Sequence, residues 1–113
     1  MSDRLKFENQ MVLAVVQALL GAVSQSMTAI SITTDLKEQS IELMFACCRD
    51  DPADAERIDD IVTDLDAILS GQVLITPLRW IGVDWTKSWP GRAGRMVYAA
   101  AGATSSRDDA DDR

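Results

Sequence analysis

An α+β fold in two layers is what this chain predicts: an antiparallel sheet of three to four strands with two helices on one face. Two observations carry that reading. Apolar residues recur at three- and four-residue spacing in two stretches and alternate with small or polar residues in shorter ones, so the chain reads αββαββ. Between the second strand and the second helix, Asp51-Pro52 pairs a side chain that caps a helix with a ring pre-set for its first position.

The first helix spans Phe7 to Val23, where Met11, Val12, Val15, Val16, Leu19, Leu20 and Val23 form a broad apolar stripe. Gly21 weakens its last turn, and Ser24-Gln-Ser is the exit. Thr28 to Thr34 alternates as a short strand, Asp35 to Ser40 is a polar turn, and Ile41, Leu43, Phe45 and Cys47 form one face of a second strand, the other arm of a hairpin. The second helix runs from Asp51-Pro52 to about Leu69 and stops at Ser70-Gly71. A third strand begins at Gln72, with Pro77 ending it or confining it to an edge. Leu78 to Gly94 is irregular, Arg95 to Ala100 is strand-like again, and the expected domain is 1–102, followed by a flexible acidic tail, 103–113.

Composition narrows the chemistry. With 113 residues, 47% of them hydrophobic and 26% charged, the chain can bury one modest core. A net charge of −7 argues against direct binding of nucleic acid or an anionic membrane, both of which rest on Lys and Arg, and favours a cationic partner. Histidine is absent, which removes the commonest general base and the commonest metal ligand. Adjacent Cys47 and Cys48 point to opposite faces of a strand, so they do not bridge each other and read as unreactive thiols. No apolar run reaches the roughly 18 residues of a membrane span, and polar residues interrupt the N-terminal stretch too often for a cleaved signal, so a cytoplasmic protein is expected. No cofactor or metal is expected, and no enzymatic activity.

Two features remain as candidate binding sites. Asp50 to Asp66 holds eight of the eighteen acidic residues. Acids near the helix start are explained by capping and the helix dipole, but Asp59, Asp60, Asp64 and Asp66 lie beyond the first turn. Glu56, Asp60 and Asp64 repeat at four-residue intervals, where like charges cost roughly 0.2–0.5 kcal/mol per pair. Such a face is either a solvated helix surface or a surface for a basic partner; Glu56, Asp59, Asp60 and Asp64 are its candidate contacts. The second feature is Trp80, Trp85 and Trp89 in a segment rich in Gly, Pro and charge. Trp80 reads as a cap on the core. For Trp85 and Trp89, burial and service as interface anchors both stand open.

Several phrases together, Val16-Gln-Ala-Leu-Leu-Gly-Ala-Val-Ser, Ile30-Ser-Ile, Ile41-Glu-Leu-Met-Phe, Glu56-Arg-Ile-Asp-Asp-Ile-Val-Thr-Asp-Leu-Asp-Ala and Gly94-Arg-Met-Val-Tyr, resemble small bacterial immunity proteins of contact-dependent growth inhibition and other polymorphic toxin systems. The resemblance runs from about Val12 to Tyr98 and carries no residue-by-residue site. It implies a partner, the C-terminal domain of a cognate toxin, and with the acidic helix it points to a basic one such as a nuclease. The readings from other classes are a non-enzymatic oligomerisation or adaptor domain, and a metal-assisted hydrolase built on Asp60 and Asp64.

Overall fold

The computed structural model describes residues 2–100; the reading of 103–113 as an acidic tail falls outside them. Helix α1 (Asp3–Leu19) starts where the Ser2 hydroxyl accepts a hydrogen bond from the Leu5 amide. It ends ahead of Gly21, whose φ of +75° is the left-handed conformation that glycine adopts without strain. Strands β1 (Met27–Asp35) and β2 (Ser40–Cys47) form the expected hairpin, with Asp35 opposite Ser40. Helix α2 (Pro52–Ile68) has Asp51 as its cap, accepting from the Ala53 amide at 3.0 Å, and closes through Ser70 and Gly71, both at positive φ. Strand β3 (Leu74–Ile81), a single-turn helix α3 (Trp85–Ser88), a 3₁₀ turn (Pro90–Ala93) and strand β4 (Arg95–Ala99) complete the chain.

The sheet order is β3-β2-β1-β4. The α+β architecture with α1 and α2 on one face is as the sequence predicts, but the sheet is mixed rather than antiparallel throughout. Strands β1 and β2, and β1 and β4, are antiparallel, while β2 and β3 are parallel. The reason is the connection: α2 crosses over the sheet, and a strand returning from a helical crossover beside its predecessor runs in the same direction. Strand β3 also continues through Pro77 to Ile81, because it lies at the edge of the sheet, where a missing N–H can face outward.

One face of the sheet carries the main core. Ile30 and Ile32 from β1 and Ile41, Leu43 and Phe45 from β2 meet Phe7, Met11 and Val15 of α1 and Ile58, Ile61 and Leu65 of α2. The apolar stripe expected on α1 is shifted. Ala14 and Ala18 are buried, whereas Val16 and Leu20 face outward. The helix is apolar on more than one side, so periodicity alone does not choose its inner face.

This packing separates neighbours on α2. Leu65 is fully buried, and Leu65→Ala is expected to cost about 2–5 kcal/mol, whereas Asp64→Ala on the exposed face is expected to be neutral or slightly stabilising. Urea denaturation of the two variants checks the assignment; equal losses would mean that the buried face of α2 is another one.

Candidate functional site

The acids of α2 divide into two groups with different surroundings. Asp54, three residues after the cap, turns inward and is completely buried. The Ser24 hydroxyl donates to its Oδ1 at 2.8 Å, the Ser26 hydroxyl donates to its Oδ2, and Arg57 Nη1 lies 3.3 Å from Oδ1. Burial pushes this carboxyl up, but the hydroxyls of Ser26 and Ser24 and the Arg57 guanidinium outweigh it and hold the group below the usual aspartate range. Asp54 thus ties the α1–β1 connection to the start of α2. Cys47, nearby in the core, has its thiol pushed up to about 11 by burial first and then by the Asp54 charge. A thiol so raised stays protonated and inert at neutral pH.

Glu56, Asp59, Asp60 and Asp64 are all exposed on the outside of α2. None forms an ion pair among the described residues, because the nearby cations are engaged elsewhere. Arg57 turns to Asp54, and Arg79 of β3 donates to the Asp51 carbonyl and to Asp50 Oδ1, each at 3.2 Å. The result is a negative surface with little internal neutralisation. Among the described residues, no three acidic or cysteine side chains converge to hold a metal ion.

The tryptophans lie across the sheet from this surface. Residues alternate along a strand, so Ile30 and Phe45 face the helices while Ala29 and Ala46 face the other way. On that second face Trp89, 1% exposed, packs on the platform of Ala29 and Ala46, with Met44, Trp80 and Trp85 around it. Trp85 is half-buried and meets Trp89 edge to face, with ring centroids 5.8 Å apart. Asp84 caps α3 through the Thr86 amide at 3.0 Å; hydrogen bonding from Thr86, its hydroxyl included, is what lowers the Asp84 pKa. Arg92 Nη1 reaches the Thr86 carbonyl at 2.7 Å and closes the loop. Gly91 makes room for the seat: a Cβ there would run into the Trp89 ring. Ser31 Oγ and the indole nitrogens of Trp85 and Trp89 are buried and make no hydrogen bond among the described residues, so apolar contact dominates this cluster.

The acids and the tryptophans therefore do not form one patch. Glu56, Asp59, Asp60 and Asp64 belong to the helical layer, Trp85 and Trp89 to the opposite side of the sheet. The inward role of Asp54 was hidden in the sequence, where an acid in the first turn is already accounted for by the helix dipole. A separate signal lay in Ser24-Gln-Ser, whose two hydroxyls share one partner.

Residues 8–83 match the family model described as MafI2 immunity protein. The chain belongs to the MafI2 immunity protein family. That segment covers about two thirds of the chain, including the hairpin, α2 with all four exposed acids, and β3; it stops short of Trp85 and Trp89. No curated protein matches the chain. Immunity to a toxin is accordingly its function, and a toxin its partner. Among the described residues, no helix is long and apolar enough to cross a membrane.

Proposed function

We propose that this immunity protein neutralises the C-terminal domain of a cognate toxin, a nuclease, by laying the outer face of α2 over the toxin's basic cleft. A nuclease cleft collects cations to hold phosphates, and a surface of fixed carboxylates competes for the same cations. The observation that carries the reading is that Glu56, Asp59, Asp60 and Asp64 are exposed and unpaired among the described residues while Arg57 and Arg79 are occupied. The binding is stoichiometric occlusion without catalysis, and it takes place in the cytoplasm, where a nuclease meets its substrate. Trp85, half-exposed at the edge of the second face, is the anchor for a toxin that wraps around the sheet, and Trp89 supports it from beneath.

Charge reversal tests the proposal. Asp60→Lys with Asp64→Lys leaves the core untouched, since both residues are exposed. The expected result is slower association with the toxin domain, a smaller dependence of the association rate on salt, and loss of protection in cells expressing the toxin. Stopped-flow or surface-based kinetics at two salt concentrations supply the rates. Unchanged rates with full protection would remove α2 from the interface.

A further inference from the structure

Strand β3 is one edge of the sheet, and its backbone leaves every second peptide group open. The Leu74 amide donates to the Gln39 carbonyl at 3.0 Å and the Gly82 amide to the Cys47 carbonyl at 2.9 Å, and the parallel register with β2 is unbroken between them. Peptide groups alternate in direction along a strand, so the even-numbered residues from Leu74 to Gly82 bond to β2. Ile75, Pro77, Arg79 and Ile81 turn theirs outward, and these groups have no backbone partner among the described residues. Their carbonyls stand open, as does each N–H except the one that Pro77 lacks.

Beside this edge, α2 and β3 border a seam. Near the start of β3 it forms a groove of about 660 Å³, with Val62, Val73, Leu74 and Ile75 in its walls and Glu38 and Asp66 as its charged groups. Farther along, a smaller groove of about 200 Å³ sets Ile58 and Asp59 against Pro77, Leu78 and Arg79, whose guanidinium is held by Asp50. Asp59 and Asp66 are seven residues apart and share the side of α2 that borders β3.

We infer that an extended, basic segment of the toxin adds to the sheet along β3, its alternate side chains, lysine or arginine, lying in the seam. This rests on the reading that the chain neutralises a basic toxin domain. In such strand addition the backbone ladder supplies affinity, and pockets for alternate side chains supply specificity. The aliphatic stem of a lysine or arginine covers Val62 and Ile75 while its head reaches Asp66 and Glu38.

Charge selects that occupant. A second copy pairing edge to edge would bring two acidic seams together, and an edge proline with edge carboxylates is the means by which strands avoid their own kind. Residues 103–113, with four aspartates against two arginines, are disfavoured on the same ground. The other edge, β4, is shorter, irregular in its register with β1 and begins at a cation, Arg95, so it suits a basic strand less.

Residue-resolved amide hydrogen exchange of the full chain, free and bound to purified toxin domain, tests the inference. In the free chain Ile75, Arg79 and Ile81 should exchange fast beside slow Thr76, Leu78 and Trp80, and in the complex those three should slow by roughly tenfold or more. Glu38→Lys with Asp66→Lys, both exposed, should keep the wild-type circular dichroism melt and weaken toxin binding by roughly tenfold or more. A complex that leaves the three amides fast overturns strand addition; if Asp60→Lys with Asp64→Lys still slows association, the α2 reading stands without it. Slowed amides with association indifferent to that outer pair support strand addition and move the toxin off the outer face of α2. Unchanged affinity in the Glu38 and Asp66 variant overturns the basic character of the added segment. Slowing in the free chain as its concentration rises overturns the inference by making a second copy the occupant, and a toxin domain that does not bind overturns both readings.

Discussion

Asp54→Ala is expected to lower stability by about 3–5 kcal/mol, the range for breaking a buried charged network by removing one partner. The carboxylate is completely buried and accepts from Ser24, Ser26 and Arg57. Its removal leaves the Ser26 hydroxyl, itself fully buried, with only the Ser24 hydroxyl at 2.9 Å, and unties the α1–β1 connection from the start of α2. Arg57 is 45% exposed and can rehydrate, which places the loss toward the lower end of the range. Chemical denaturation at neutral pH measures it. A loss below 1 kcal/mol would show that the network contributes shape rather than stability.

The same residue sets an acid limb. A carboxyl whose folded pKa lies below its unfolded value, near 3.8, contributes stability that is fully present above the unfolded value and is lost as pH falls through the folded one. Wild-type stability should therefore fall on acidification below about pH 4, where Asp54 begins to bind a proton in the unfolded chain first. In Asp54→Asn that contribution is absent, and the fall between pH 5 and pH 3 should be shallower. Denaturation midpoints at those two pH values give the comparison.

The contrast between Asp54 and its neighbours shows what sequence reasoning reaches. Helix α2, its cap, its first-turn proline and its glycine stop follow from local chemistry and sit where the sequence places them. The hairpin follows from alternation. The direction of β3 depends on how α2 crosses the sheet, a long-range property, although a 17-residue helix between two strands was a sign of a parallel return. On α1, Val16 and Ala18 are both apolar, and only packing against the sheet buries the alanine and exposes the valine. The acidic face was legible as a face because Ile58, Ile61 and Leu65 mark its opposite side. That the tryptophans lie across the sheet was not legible, since it depends on Ala29 and Ala46 forming a platform two strands wide.

That platform makes Trp89→Ala the other large effect, about 3–5 kcal/mol for emptying a fully buried ring site. Trp89 is the largest of the fully buried side chains, and its loss also removes the edge-to-face contact with Trp85, about 0.5–1.5 kcal/mol of the total. One contribution has the opposite sign. The indole nitrogen is buried without a hydrogen bond among the described residues, so deleting it relieves a desolvation cost of about 1–3 kcal/mol. Trp89→Phe keeps most of the ring and drops the N–H, and should lose far less than Trp89→Ala. Toxin binding supplies the functional contrast. Because Trp89 lies across the sheet from Glu56, Asp60 and Asp64, the folded fraction of Trp89→Ala should keep the wild-type, salt-sensitive association rate. Denaturation curves read together with association kinetics at two salt concentrations decide the point. Wild-type stability with faster toxin dissociation would make Trp89 a contact residue instead of the seat of the loop.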